Sequence, residues 1–259
     1  MADEVVQLKK EGPIAWVAMN RDKTLNSFTS ELCNGLKEAF ADCEKDEDIR
    51  VVVLYGNGRA FCAGGDLKTL LGCTDENSTM ETISVGGEVT AAIMGSKKPY
   101  IAMIHGAAAG AGFNIALACD FICASKKAKF TQAFSSIGLI SDCGGNLLLP
   151  LAVGVRNAKK LMMLPEMLNG QQAYDMGIVT VLTEPEELRE KTAALATRLA
   201  KQPPLALANI KMLMNDCEAL NRILAQENVI QTKLIMGEDC KEGIKAFFEK
   251  RPPVFHGKS

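Results

Sequence analysis

Asp142 is the residue of this chain best placed by its surroundings to move a proton. It sits between Ile140, Ser141 and the pair Gly144-Gly145, in the stretch AKFTQAFSSIGLISDCGG over Ala128–Gly145. A carboxylate in a mostly apolar stretch is costly to desolvate unless it is hydrogen-bonded, paired or used. The glycines that follow can open a helix, so this stretch alone leaves two roles open: a helix N-cap or a general base. Two other stretches are rich in small residues. Gly56–Leu67 (GNGRAFCAGGDL) lets the chain approach a ligand closely, and Asp66 can cap a short helix through Leu71. Its plain reading is a tight turn between strand and helix. Gly106–Gly112 contains only glycine and alanine and runs into a helical Ile115–Cys119. Close helix packing is one use of such a run; backbone N–H groups presented at a helix N-terminus are the other.

Composition narrows the classes. The 259 residues suffice for one large α/β domain, or a domain with a small helical tail. A hydrophobic share of 47% supplies a substantial core, and a net charge of −2 argues against nucleic acid as a partner. Nine cysteines form no CxxC pair, and there are only two histidines, a pattern that disfavours zinc and leads us to expect no metal. Unpaired cysteines used as small apolar residues suit a reducing compartment, hence a cytoplasmic location. MADEVVQLKK carries no apolar signal segment. The longest small apolar run, Ile101–Cys119, is broken by His105, Asn114 and three glycines, so no membrane span is expected.

The elements that must position these residues read as follows. Glu4–Leu8 and Ile14–Met19 form a hairpin about Gly12-Pro13. Asn20–Phe28 is loop. Thr29 or Ser30 caps a helix carrying Leu32, Leu36, Phe40 and Cys43. Val51–Tyr55 is a strand buried on both faces. Gly72–Glu88 reads as a mobile loop running into a helix that ends at Lys97-Lys98. Tyr100–Ile104, Phe121–Ala124, Ala128–Phe130 and Ile178–Leu182 are strands. Asn157–Leu164 and Gln171–Met176 are helical, and four helical stretches follow from Glu186, divided at Gln202–Pro204, Asn215–Cys217 and Gly237. Leu195, Leu199, Leu205, Leu213, Leu220, Ile223 and Leu224 give those helices more apolar surface than one small layer needs, which predicts an oligomer.

FCAGGDL (61–67), HGAAAGAGFNIALACD (105–120) and GLISDCGG (138–145), in that order and spacing, resemble the crotonase superfamily of enoyl-CoA hydratases and isomerases. LNSF (25–28) and EGIKAFFEKRPPVF (242–255) extend the resemblance over nearly the whole chain. It implies an α/β fold, a spiral of repeated β-β-α units over 1–200 with a C-terminal helical trimerisation region over 201–259. It also implies a homotrimer or dimer of trimers, an acyl-CoA thioester substrate, and no cofactor beyond the CoA that the substrate carries. The oxyanion hole would be the backbone N–H groups of Gly65 and Ala111, which hold the negative charge that gathers on a thioester oxygen. Ala63, Gly65, Asp66 and Leu67 would lie along the CoA, with Lys23 and Asn26 as weaker contacts.

Two departures matter. Hydratases of the family carry one glutamate in a GGG-x-E segment and another in a Q-P-E segment; those positions here are Asn114 and Phe134. Asparagine cannot act as a general base, and phenylalanine does no acid–base chemistry. The resemblance therefore points to Asp142 as the single acid–base group, at the position of the base of Δ3,Δ2-enoyl-CoA isomerases. AFSSIGLISDCGG with KRPPVF most resembles the phenylacetate-pathway isomerase type, which converts a ring-epoxide acyl-CoA to an oxepin and also shifts double bonds. Phe134, Leu139 and Ile140 would keep water from the carboxylate, with Asn114 a hydrogen-bonding or spacing residue of the pocket. The other readings are a hydratase using Asp142 with water, an aryl-CoA dehalogenase, and a crotonase-fold acyl-CoA binding protein without catalysis. The dehalogenase reading lacks a pocket histidine and tryptophan: only His105 and His256 occur, and Trp16 lies in the N-terminal hairpin. The non-catalytic reading is opposed by the retained Asp142 and both small-residue stretches.

Overall fold

Strands β1 (Val6–Glu11) and β2 (Ile14–Met19) pair antiparallel across Gly12, whose φ of +57° suits a residue without Cβ. The computed structural model describes residues 4–257. β2 then pairs in parallel with β3 (Val51–Gly56), followed by β4 (Tyr100–Ile104) and, with three strands of the sequence left to another sheet, β6 (Phe121–Ser125) and β9 (Val181–Thr183). The β5 strand (Ala107–Ala109) belongs instead to a small second sheet with β7 (Lys129–Thr131) and β8 (Leu168–Asn169). Each parallel step needs a crossover, and the crossovers carry the site loops.

All six residues of β2 are buried, because both faces of the main sheet are covered. Ala15, Val17, Val52, Leu54 and Ala102 face the larger core. Ile14, Trp16, Val51, Val53, Ile101 and Met103 face helix α7 (Leu188–Ala200) through Leu188 and Ala196. Strict alternation along uniformly apolar strands is what a two-sided sheet requires.

Helix α1 (Ser30–Lys45) starts at Thr29, whose Oγ1 accepts the Leu32 N–H at 3.3 Å. Asp66 caps α2 (Leu67–Leu71) through the Lys68 and Thr69 N–H groups. The expected loop over Gly72–Glu88 needs correction. Helix α3 runs from Glu76 to Gly95, capped by Asp75, which accepts from Ser78 N at 3.0 Å. Gly86 and Gly87 lie inside it because there is no room for a Cβ: one at Gly86 would stand 2.8 Å from Cys143 Sγ, one at Gly87 2.8 Å from Leu224 Cδ2. They read as breakers in sequence but act as points of close packing.

Helix α4 (Ala111–Ala118) follows the small-residue run, and α5 (Gly145–Met163) follows Asp142, with non-helical backbone at Gly154. A short α6 (Gly170–Asp175) precedes β9. Then come α7, α8 (Pro204–Met214), α9 (Cys217–Met236) and α10 (Glu238–Glu249). Helix α9 packs along α3, and α10 packs against the single turn Ser135–Ile137. Of the leucines expected to be surplus, Leu220 and Leu224 belong to the core and Leu195 and Leu199 pack under the main sheet. Leu205 and Leu213 do stand in the open, at 78% and 82% exposure.

Candidate active site

A cavity of about 510 Å³ lies where the loops after β3 and β4 meet the α3, α9 and α10 helices. Ala63, Gly65, Asp66 and Leu67 line one side, Ala111 and Phe134 another, and Leu139 and Asp142 the floor. Gln231, Ile235 and Phe247 complete it from the C-terminal helices.

The two small-residue loops approach each other closely. A Cβ on Gly64, whose φ is +95°, would stand 2.8 Å from Ala109 O and 3.6 Å from Ala111 N. The bridges Phe28↔Gly65 and Cys62↔Ala108 lock the loops in register. Ala111 is the first residue of α4, so its N–H belongs to the unpaired first turn. Among the described residues, neither the Gly65 N–H nor the Ala111 N–H has a hydrogen-bond partner. Two such donors on one cavity, one of them at a helix N-terminus, can hold an oxyanion. The ring of Phe134 packs over Gly110, 3.4 Å from the place a Cβ would take.

Asp142 precedes α5 but does not cap it. Its main-chain O accepts from Gly145 N at 2.9 Å. The cap comes from Glu227 of α9, which is 2% exposed: Oε2 accepts from Gly144 N at 2.8 Å, and Oε1 from Asn146 N at 3.1 Å and Asn146 Nδ2 at 2.9 Å. Asp142 Oδ2 accepts one hydrogen bond, from Gln231 Nε2 at 3.3 Å, and its buried Oδ1 has no partner among the described residues. Burial pushes this carboxyl up to about 6; the Cys143 thiol and Gln231 hold it back only in part. Burial also raises Glu227, to about 7, against the hydrogen bonds from Gly144 and Asn146, and the charge of Asp142 adds to the rise.

Four expected site residues lie off this cavity's lining. Asn114 is fully buried; its amide donates to Ser141 Oγ at 3.0 Å and Asp142 O at 2.7 Å, and its carbonyl accepts from Gln132 Nε2 at 2.7 Å. It fixes the backbone of the Asp142 loop from behind. Ile140 lines a second cavity of about 520 Å³, divided from the first by Phe134 and Leu139. Asn26 is also fully buried, donating to Asn57 O and Ala60 O and accepting from Arg21 N, so its capacity is spent inside the loop. Lys23 is exposed on the turn Asp22–Thr24. Asp66 does line the cavity, with its carboxylate engaged in capping α2, accepting from Ser27 Oγ at 3.1 Å and pairing with Arg21. Glu227 and Gln231 escaped the sequence reading. Their four-residue spacing puts them on one face of α9, but nothing local marks that face as meeting a loop more than 80 residues away.

A buried carboxyl beside two backbone donors that have no partner among the described residues, on an apolar cavity, is an arrangement suited to enolate-forming chemistry. The comparisons with known proteins give the family. Residues 9–258 match the profile of the enoyl-CoA hydratase/isomerase family, and the chain belongs to it. It is 36% identical to 1,2-epoxyphenylacetyl-CoA isomerase of Escherichia coli K12, over 96% of this chain and 97% of that one. It is 30% identical to crotonyl-CoA hydratase of Syntrophomonas wolfei, with both chains fully covered. A crystal structure of an enoyl-CoA hydratase from Mycobacterium avium subsp. paratuberculosis superposes with a TM-score of 0.88 at 30% identity, covering 97% of this chain and 98% of that one. The fold is the crotonase fold.

Proposed function

We propose that the protein is an acyl-CoA thioester isomerase that shifts a double bond, from 3-enoyl-CoA to the conjugated 2-enoyl-CoA or between ring-epoxide and oxepin acyl-CoA. The observation that carries this is Asp142: a carboxyl raised to about 6 by burial, on an apolar cavity lined by Phe134 where the resemblance expects one hydratase glutamate, with Asn114, in the place of the other, buried behind the Asp142 loop. Asp142 removes a proton from C2 of the substrate. The C2–H pair forms a C1=C2 bond and the carbonyl π pair moves onto the thioester oxygen, giving a dienolate conjugated with C3=C4 whose oxygen is held by the N–H groups of Gly65 and Ala111. The oxyanion pair then re-forms the carbonyl, the C1=C2 pair becomes C2=C3, and the C3=C4 pair takes the proton from Asp142 at C4. One carboxylate suffices because the proton leaves and returns on one face. The chemistry asks for no resident cofactor, since CoA enters with the substrate, and we infer the cytoplasm as its setting. The pathway relation to phenylacetate breakdown rests on the similarity to the E. coli isomerase.

A hydratase reading, favoured by the S. wolfei relative, would have Asp142 activate water. The apolar wall of Phe134, Leu139 and Ile137 counts against it. The deciding experiment incubates a 3-enoyl-CoA in D₂O and follows product by mass and ultraviolet absorbance. Transfer of part of the C2 hydrogen to C4 without exchange is expected. Complete exchange, or a 3-hydroxyacyl product alone, would sink the single-carboxylate shuttle.

A further inference from the structure

A carboxylate two residues ahead of a helix N-cap stands close to the amide donors of the first turn. Donors that stabilise its charged form would weaken it as a base. In α5 those donors are taken: Glu227 accepts from Gly144 N, Asn146 N and the Asn146 side chain. One turn further along α9, Gln231 holds the same loop by a two-way clamp, accepting from Ile140 N at 3.1 Å and donating to Ile140 O at 2.9 Å. The same amide donates to Asp142 Oδ2 at 3.3 Å. Both residues are almost wholly buried, and an ionisable Glu227 in that setting has to be explained by what it holds.

We propose that Glu227 and Gln231 are positioning residues for Asp142: Glu227 occupies the α5 donors and keeps them from the Asp142 carboxylate, while Gln231 aims that carboxylate into the cavity. The inference rests on Asp142 as the proton carrier. The titratable groups near Asp142 are the Cys143 thiol in its own loop, Cys33 of α1 on the same cavity, and Glu227 of α9; α3 brings Gly86 against Cys143, and its Glu88 pairs with Lys37 at the surface. Cys33 and Cys143 are held neutral by burial, so Glu227 is the group able to change charge beside the base.

The test is a carboxyl titration of the whole protein labelled with ¹³C-aspartate, the Asp142 signal being identified by its loss in Asp142→Asn. Gln231→Met removes the hydrogen bond to the charged form and is expected to raise the midpoint. Glu227→Ala frees the α5 donors and removes a negative neighbour, and is expected to lower it. Turnover should fall roughly 10-fold in each, with KM little changed. Should Glu227→Ala not fold, Glu227→Gln keeps one acceptor and is expected to move the midpoint in the same direction. A purely structural role predicts loss of thermal stability without opposed shifts, so folded variants that titrate like the wild type overturn the inference. If in addition Asp142→Asn turns over normally, the base assignment itself has failed; if Asp142→Asn is inactive, only the positioning role has.

Discussion

Asp142 is costly where it stands, and that cost can be read from its pH dependence. Its carboxyl titrates near 6 in the fold, against an ordinary value of 3.8. The folded state therefore binds this proton more tightly than the unfolded chain. The associated stability is present below the unfolded value and is lost as pH rises through about 6. Asp142→Asn removes that burden and is expected to raise the unfolding temperature at pH 8, by an amount on the order of 2 kcal/mol in stability, and to raise it little at pH 4. Isomerisation should fall about 10²-fold or more, while CoA-ester binding persists. An Asn that left activity intact would return Asp142 to a purely structural role. In the wild type, kcat/KM should rise with pH to a plateau with a midpoint near 6, because the base must be ionised. Water gives a further residue-level test: if Phe134 and Asn114 stand where the resemblance places the hydratase glutamates, crotonyl-CoA hydration should be slow or absent. Hydration at an ordinary enzyme rate would mean the catalytic acid lies elsewhere.

At the scale of elements, α4 offers a substitution that separates chemistry from folding. Ala111 is the first residue of that helix, and its N–H makes no intrahelical bond. Proline is tolerated at such a position and carries no N–H. Ala111→Pro is expected to retain the helix by circular dichroism and to lose about 10²–10³-fold in kcat; an active variant would remove Ala111 from the oxyanion hole. The strands were legible in the sequence because their signal is local: Tyr100–Ile104 and Ile14–Met19 stand as read, each an apolar run bounded by turn residues. The start of α3 was not, because Gly86 and Gly87 answer to Cys143 and Leu224, contacts of high sequence separation. Asp142 could be singled out as an isolated charge. Glu227 could not, because an acid on an amphipathic helix is most often solvated, and only the fold shows α5 starting against it.

Over the whole molecule, α8 is turned inside out. Lys211 is buried, donating to Lys98 O at 3.0 Å and paired with Asp120 at 2.7 Å, while Leu205, Leu213 and Met214 face outward. An apolar face of this kind is usually covered by another protein surface. We infer a trimer or a dimer of trimers: sedimentation should show no monomer at micromolar concentration, and Leu213→Glu should shift the protein toward smaller species. A stable wild-type monomer would contradict this. The cavity has a consequence of another kind. Its wall is drawn from both ends of the chain, Phe28 at one extreme and Gln231, Ile235 and Phe247 at the other. Asp142 and the Gln231 amide that bonds it lie 89 residues apart in the chain (231 − 142). The cavity is therefore whole only in a chain that runs through α10, and a chain cut before Gln231 is expected to lack the wall that closes beside Asp142.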